Sequence, residues 1–154
     1  MRLKLVDPGP ERDVYLSLLL LADDSEQQVR GYMQRGILFV AEEAGRDVGI
    51  VLAIPSVLGE VELKAVAVDP ASHNRGIGKR MLAMVLAALG KRGFKRVVLG
   101  TGNSGVGQIA FYQKAGFRLW RIERDFFSPE RGYPAGLEEN GILLRDMVWF
   151  DQPL

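Results

Sequence analysis

Cysteine is absent from this chain, and histidine occurs once, at His73. Without cysteine there is no disulfide, no thiolate nucleophile and no thiolate metal site. One histidine leaves a His-based metal centre or a Ser-His-Asp machine short of parts, so no metal is expected. An excess of charge of either sign is also missing: 20 Lys and Arg stand against 19 Asp and Glu, a net charge of +1. That balance gives no electrostatic case for nucleic acid or an anionic membrane as a partner. Long apolar runs are lacking too, and the run from Leu18 to Ala22 is far too short to cross a bilayer. The opening MRLKLVDPGPERD has charges and prolines where a signal peptide carries an apolar core, which makes the cytoplasm the expected location.

What is present is a chain of 154 residues, of a length suited to one domain spanning 1–154 with a real core. Residues 2–6 alternate like a strand. Residues 11–22 read as a helix, and Ser25 caps a second one running to Arg35. Residues 37–42 and 48–54 form two strands around Ala44-Gly45-Arg46-Asp47, a hairpin pattern. A strand over 60–68 follows, then a helix over 76–90 with Ile77, Met81, Leu82, Val85 and Leu89 on one face. Residues 96–101 make a nearly all-apolar strand. A glycine-rich turn leads to a helix over 108–115, and strands over 117–124 and 141–150 close the chain. Strand 60–68, helix 76–90 and strand 96–101 form a βαβ unit with parallel strands. The antiparallel hairpins around it point to a mixed α/β sheet of about seven strands, with four helices on both faces.

The stretch VELKAVAVDPASHNRGIGKRML, residues 61–82, carries the strongest chemical signal. A strand ends at Asp69-Pro70, and a polar turn feeds Arg75-Gly76-Ile77-Gly78-Lys79 into a helix. The first N–H groups of a helix lack internal partners and sit at the positive end of its dipole, so they favour phosphate. Two nucleotide motifs do not fit. A P-loop needs a glycine where His73 stands and a Ser or Thr where Arg80 stands, and a dinucleotide fingerprint needs a third glycine at Met81.

The segment AVAVDPASHNRGIGKRML resembles the coenzyme A signature of the GNAT superfamily of N-acetyltransferases, matching at Pro70, Gly76 and Gly78, with His73 in place of the usual Gln or Arg. TGNSGVGQIAFYQKAGFR is similar to the family's second half-site, with Tyr112, Gly116 and Phe117 in the expected places. The resemblance covers nearly the whole chain and extends to a group of small bacterial members. It implies acetyl-CoA as cosubstrate and a GNAT-like fold. The pyrophosphate would sit on the backbone of Asn74, Arg75, Gly76, Ile77, Gly78 and Lys79, with charge added by Lys79 and Arg80 or those two left on a solvated helix face. Val66, Ala67 and Val68 would pair with the pantetheine arm in a gap between strands 60–68 and 96–101. One of their N–H groups would polarise the thioester carbonyl. Asn103 would hold the pantetheine amide. Tyr112, at the start of its helix, would protonate the departing sulfur.

The implied reaction is attack of a primary amine on the thioester, which requires a base because an alkyl ammonium has a pKa of about 10.4. Glu62 is the candidate. Period-two alternation puts it on the strand face of Val66 and Val68, with Glu60 as competitor and a Glu62–Lys64 surface pair as the plain alternative. Acceptor choice is expected from residues 21–36 and 125–140. The latter mix Phe126, Phe127 and Tyr133 with Asp125, Glu130, Glu138 and Glu139, either an aromatic-acidic wall for a cationic amine or aromatics filling a satellite core. A small-molecule amine is the expected acceptor; a protein N-terminus or lysine, or an acyl-CoA-sensing module without turnover, are the alternatives. Strand edges leave a homodimer open.

Overall fold

The computed structural model describes residues 1–154. Its strands are β1 (Arg2–Val6), β2 (Ile37–Glu43), β3 (Arg46–Pro55), β4 (Glu60–Val68), β5 (Arg96–Gly102), β6 (Arg118–Glu123), β7 (Glu138–Glu139), β8 (Ile142–Leu143) and β9 (Met147–Pro153). Its helices are α1 (Leu16–Leu19), α2 (Glu26–Tyr32), α3 (Ile77–Lys91) and α4 (Val106–Lys114). Seven strands form one mixed sheet in the order β1-β2-β3-β4-β5-β9-β6, while β7 and β8 pair apart. The mixed α/β architecture read from the sequence is the one observed.

Local chemistry accounts for the order. Ala44 and Gly45 both take positive φ, 52° and 78°, so a two-residue turn folds β2 back on β3. Asp69 ends β4 by accepting from the Ala71 N–H, and Pro70 opens a 3-10 turn. Helix α3 buries Ile77, Met81, Leu82, Val85 and Leu89 and returns the chain so that β5 lies parallel to β4. Two cores result. One packs Val61, Leu63, Val97, Leu99 and Phe150 beneath α3 and α4; the other packs Leu19, Val29 and Tyr32 against Ile50, Leu52, Ala65 and Ala67.

Two expected elements differ. The helix over 11–22 is instead a 3-10 segment (Pro10–Tyr15) followed by the single turn of α1. Arg12 is drawn inside at 1% exposure and donates to the carbonyls of Val6, Met33, Arg35 and Gly36 at 2.7–3.1 Å. The strand over 141–150 is broken. Asn140 and Gly141 take φ of 57° and 73° and close the β7–β8 hairpin, and β9 starts only at Met147.

The feature that makes the site lies in β4. Leu52 of β3 pairs with Ala65, but the next residue, Ala53, pairs with Leu63, so Lys64 is the extra residue of a β-bulge. On its other edge β4 pairs with β5 only through Glu60↔Arg96, Val61↔Val97 and Glu62↔Val98. Past Glu62 the two parallel strands part.

Candidate active site

The mouth of the parted strands meets the N-terminus of α3. Gly76 caps that helix in the left-handed conformation at φ 71°, and Asn74 is left-handed too, at φ 63°. The first helical bond runs from the Arg80 N–H to the Gly76 carbonyl at 3.2 Å, so the preceding amides have no helical partner. The two glycines serve different ends. A Cβ at Gly76 would meet nothing within 4 Å, so the positive φ is what requires glycine there. A Cβ at Gly78 would sit 3.2 Å from Phe111 and 3.5 Å from Val68, so its absence lets α3 close onto β4 and α4.

Beyond Glu62, β4 keeps one edge on β3, through Val51↔Val66, Ile50↔Ala67 and Gly49↔Val68, and turns the other to the gap. The gap opens into a cavity of about 270 Å³ whose lining includes Glu62, Lys64, Val66, Gly100, Gly102 and Tyr112. Tyr112 is the seventh of the nine residues of α4, not near its start as expected. Its ring sits among Phe111, Phe117 and Phe150, with centroids 5.3, 5.9 and 5.8 Å away. Burial alone pushes its hydroxyl up to about 12, so it remains protonated at neutral pH.

The placement of Glu62 corrects the alternation argument. The extra residue at Lys64 inverts the parity of β4. Val61 and Leu63 belong to the α3–α4 core, but after the bulge it is Val66 and Val68 that pack there, while Ala65 and Ala67 join the α1–α2 core. Glu62 therefore shares a face with Lys64, Ala65 and Ala67, not with Val66 and Val68. It still lines the cavity, reaching it from the side opposite Tyr112. Burial raises its carboxyl above the usual value, while Lys64 and Arg35 hold it down in part. Lys64 Nζ stands 4.0 Å from Glu62 Oε2, too long for a hydrogen bond, and lies 5.1 Å over the Tyr32 ring. Glu60 does not line the cavity; it is bound by Arg96 and Ser56.

Other expected residues turn out to be engaged elsewhere. Asn103 Oδ1 accepts from the Arg145 and Asp146 N–H groups at 2.9 and 3.0 Å, and its Nδ2 donates to the Leu143 carbonyl at 3.0 Å. That side chain fastens the stretch between β8 and β9 and does not line the cavity. Arg80 makes a fork onto Glu43 at 3.1 and 3.3 Å. His73 holds its ring nitrogen 2.9 Å from the Val68 carbonyl and ties the loop to the end of β4.

The far half of the cavity comes from segments that sequence only bounded. Phe126, Phe127 and Tyr133 line it and pack on one another with centroids 4.9–6.2 Å apart, so the aromatics are both a small core and a wall. Asp23 accepts from the Tyr32 hydroxyl at 3.0 Å and the Tyr133 hydroxyl at 3.5 Å, and Gln28 donates to the Arg131 carbonyl. The segment over 125–140 is thereby fixed across the end of α2. Neither Asp23 nor Gln108 was singled out by the sequence; both line the cavity, and only the fold brings them there.

A sheet that parts at its one parallel pair, with unpaired helix-start amides at the opening, belongs to the acyltransferases that take their acyl group from coenzyme A. Within that class the chain belongs to the GNAT acetyltransferase family, whose acetyltransferase (GNAT) domain model matches residues 34–119. It is an acetyl-CoA-dependent N-acetyltransferase. It is 36% identical over 144 residues to the uncharacterised N-acetyltransferase YvbK of Bacillus subtilis, covering 93% of this chain and 92% of that one. Among solved structures, one described as an IAA acetyltransferase from Bacillus cereus is 35% identical with a TM-score of 0.87 over 99% of both chains. A GNAT acetyltransferase from Elizabethkingia anophelis with acetyl-CoA bound is 33% identical with a TM-score of 0.84, over 99% of this chain and 98% of that one. No helix is long and apolar enough to cross a membrane.

Proposed function

We propose that this enzyme acetylates the primary amine of a small molecule by direct attack on acetyl-CoA, with Tyr112 as general acid and Glu62 as general base. The observation that carries this reading is that the parting of β4 from β5 gives both side chains one cavity, from opposite faces of the sheet. The pyrophosphate rests on the free amides from Asn74 to Lys79. The pantetheine arm lies along the free edge of Val66, Ala67 and Val68, and an N–H of that edge polarises the thioester carbonyl. Residues 1–154 act as one catalytic domain, since the sheet that holds the site takes strands from Arg2 through Pro153.

The ammonium loses a proton to Glu62, directly or through water, and the neutral nitrogen attacks the carbonyl carbon. The C–N bond forms, the C–S bond breaks, the sulfur takes its proton from Tyr112, and the second proton released by the nitrogen restores the Tyr112 hydroxyl by way of solvent. A raised carboxyl suits Glu62 to the base role, because a more basic carboxylate holds the amine proton better. Tyr112, with its pKa near 12, is a weaker acid than a thiol of about 8.5 in water. The burial that raises the tyrosine also raises the buried thiol, which narrows the difference. The fixed segment over 125–140 narrows the acceptor side, which favours a small molecule over a protein terminus.

The test is thiol release from acetyl-CoA with a panel of amines, and mass spectrometry of the products. N-acetylated small amines support the proposal. Acetylation of peptides alone, or coenzyme binding without thiol release, refutes it.

A further inference from the structure

We infer that the acceptor carries a second positive charge, as a diamine or polyamine does, seated against Glu138 and Glu139 while the reacting amine meets Glu62. The inference rests on the cavity being the acceptor site proposed above. Acids dominate the charge of its lining, where Asp23, Asp24, Glu62, Glu138 and Glu139 stand against Lys64 as the one basic residue. These acids are not equivalent. Asp23 is spent on the Ser25 N–H and the Tyr32 and Tyr133 hydroxyls. Glu62 is partly offset by Lys64 and Arg35. None of the ion pairs of the chain engages Glu138 or Glu139.

That pair is also held in place. The β7–β8 hairpin that carries it is fixed by the Asn140 amide donating to the Ser104 carbonyl at 2.9 Å and by the Leu144 N–H bonding the Leu137 carbonyl at 2.8 Å. Glu138 and Glu139 are exposed, which places them at the cavity's mouth, whereas Tyr112 is buried at its inner end. Phe126, Phe127 and Tyr133 wall the same cavity. The carboxylates do not converge into a group able to hold a metal ion. An acidic mouth, an aromatic wall and a carboxylate beside the buried tyrosine match a methylene chain with a cation at one end and a reacting amine at the other.

The test compares 1,5-diaminopentane with n-pentylamine, which differ at the far terminus, by thiol release from acetyl-CoA at low and high salt. The diamine is expected to show a higher kcat/KM, with an advantage of up to about fivefold from a paired second charge that shrinks as salt rises. In the doubly substituted Glu138→Gln, Glu139→Gln protein the advantage collapses through the diamine's KM rather than its kcat. Both positions are exposed, and a melting curve matching wild type shows that the variant is folded. Equal kcat/KM for the two amines, or a double variant that slows both alike, overturns the inference and leaves the amine acetyltransferase reading standing. Turnover of neither amine, with acetyl-CoA still bound, overturns both.

Discussion

Replacing Tyr112 with Phe removes one oxygen atom and leaves the ring among Phe111, Phe117 and Phe150. Two consequences follow from that one atom. As general acid the hydroxyl is worth roughly 10²–10⁴ in rate, so kcat is expected to fall by at least about 10²-fold with little change in KM for acetyl-CoA. The second consequence concerns stability. The hydroxyl titrates at about 12 in the fold against 10.0 for the free side chain, so between those values the folded state holds a proton the unfolded state has lost. Its contribution to stability is complete below pH 10 and is lost as pH rises through 12, a change of about 3 kcal/mol at 1.36 kcal/mol per pH unit. Tyr32 and Tyr133 are also raised by burial and are present in both proteins, so the difference between the two alkaline denaturation curves isolates Tyr112. Steady-state thiol release at neutral pH and urea titrations from pH 9 to 12 measure the two effects. A variant that keeps kcat within threefold of wild type removes Tyr112 from the mechanism, and alkaline curves that superpose show that its hydroxyl is not shielded by the fold.

Glu62→Gln is expected to abolish the acidic limb of the kcat/KM profile, which in wild type lies above the ordinary carboxylate range because burial raises this group. The same raised pKa means that charged Glu62 costs stability once pH passes it, so the variant should melt higher at neutral pH, a trade read by calorimetry. Gly76→Ala forces a Cβ into φ 71° at a strain of about 1–2 kcal/mol. A lower Tm and a several-fold higher KM for acetyl-CoA should appear together. Arg12→Ala leaves four carbonyls without their charged donor and should cost at least about 3 kcal/mol in a urea titration, with no specific effect on the amine's KM.

Strand alternation, the apolar stripe of α3 and the glycine punctuation between strands made the sheet and its βαβ unit legible before any coordinates. The glycine-rich turn before α3 was legible as well, although only Gly76 answers a local need, its positive φ, whereas Gly78 answers the packing of α3 on Phe111 and Val68. Most of what escaped was non-local. Nothing in GPERDVYL announces that Arg12 turns inward to bind carbonyls from residues more than twenty positions away. The Asn140-Gly141 pair was a readable hairpin signal, passed over in favour of one long strand. The Lys64 bulge left no mark on the burial alternation of β4, which continues unbroken while the two faces exchange. Alternation thus put Glu62 on the face of Val66 and Val68, and the extra residue puts it on the other.

That one additional residue has a kinetic corollary. On the proposed reading the nucleotide donor enters beneath α3 and α4, and the nucleophile enters from the α1–α2 side, so neither obstructs the other's door. Both reactants can be resident together. Initial-rate plots at varied donor and acceptor concentrations should then intersect rather than run parallel, with no acetylated enzyme to trap.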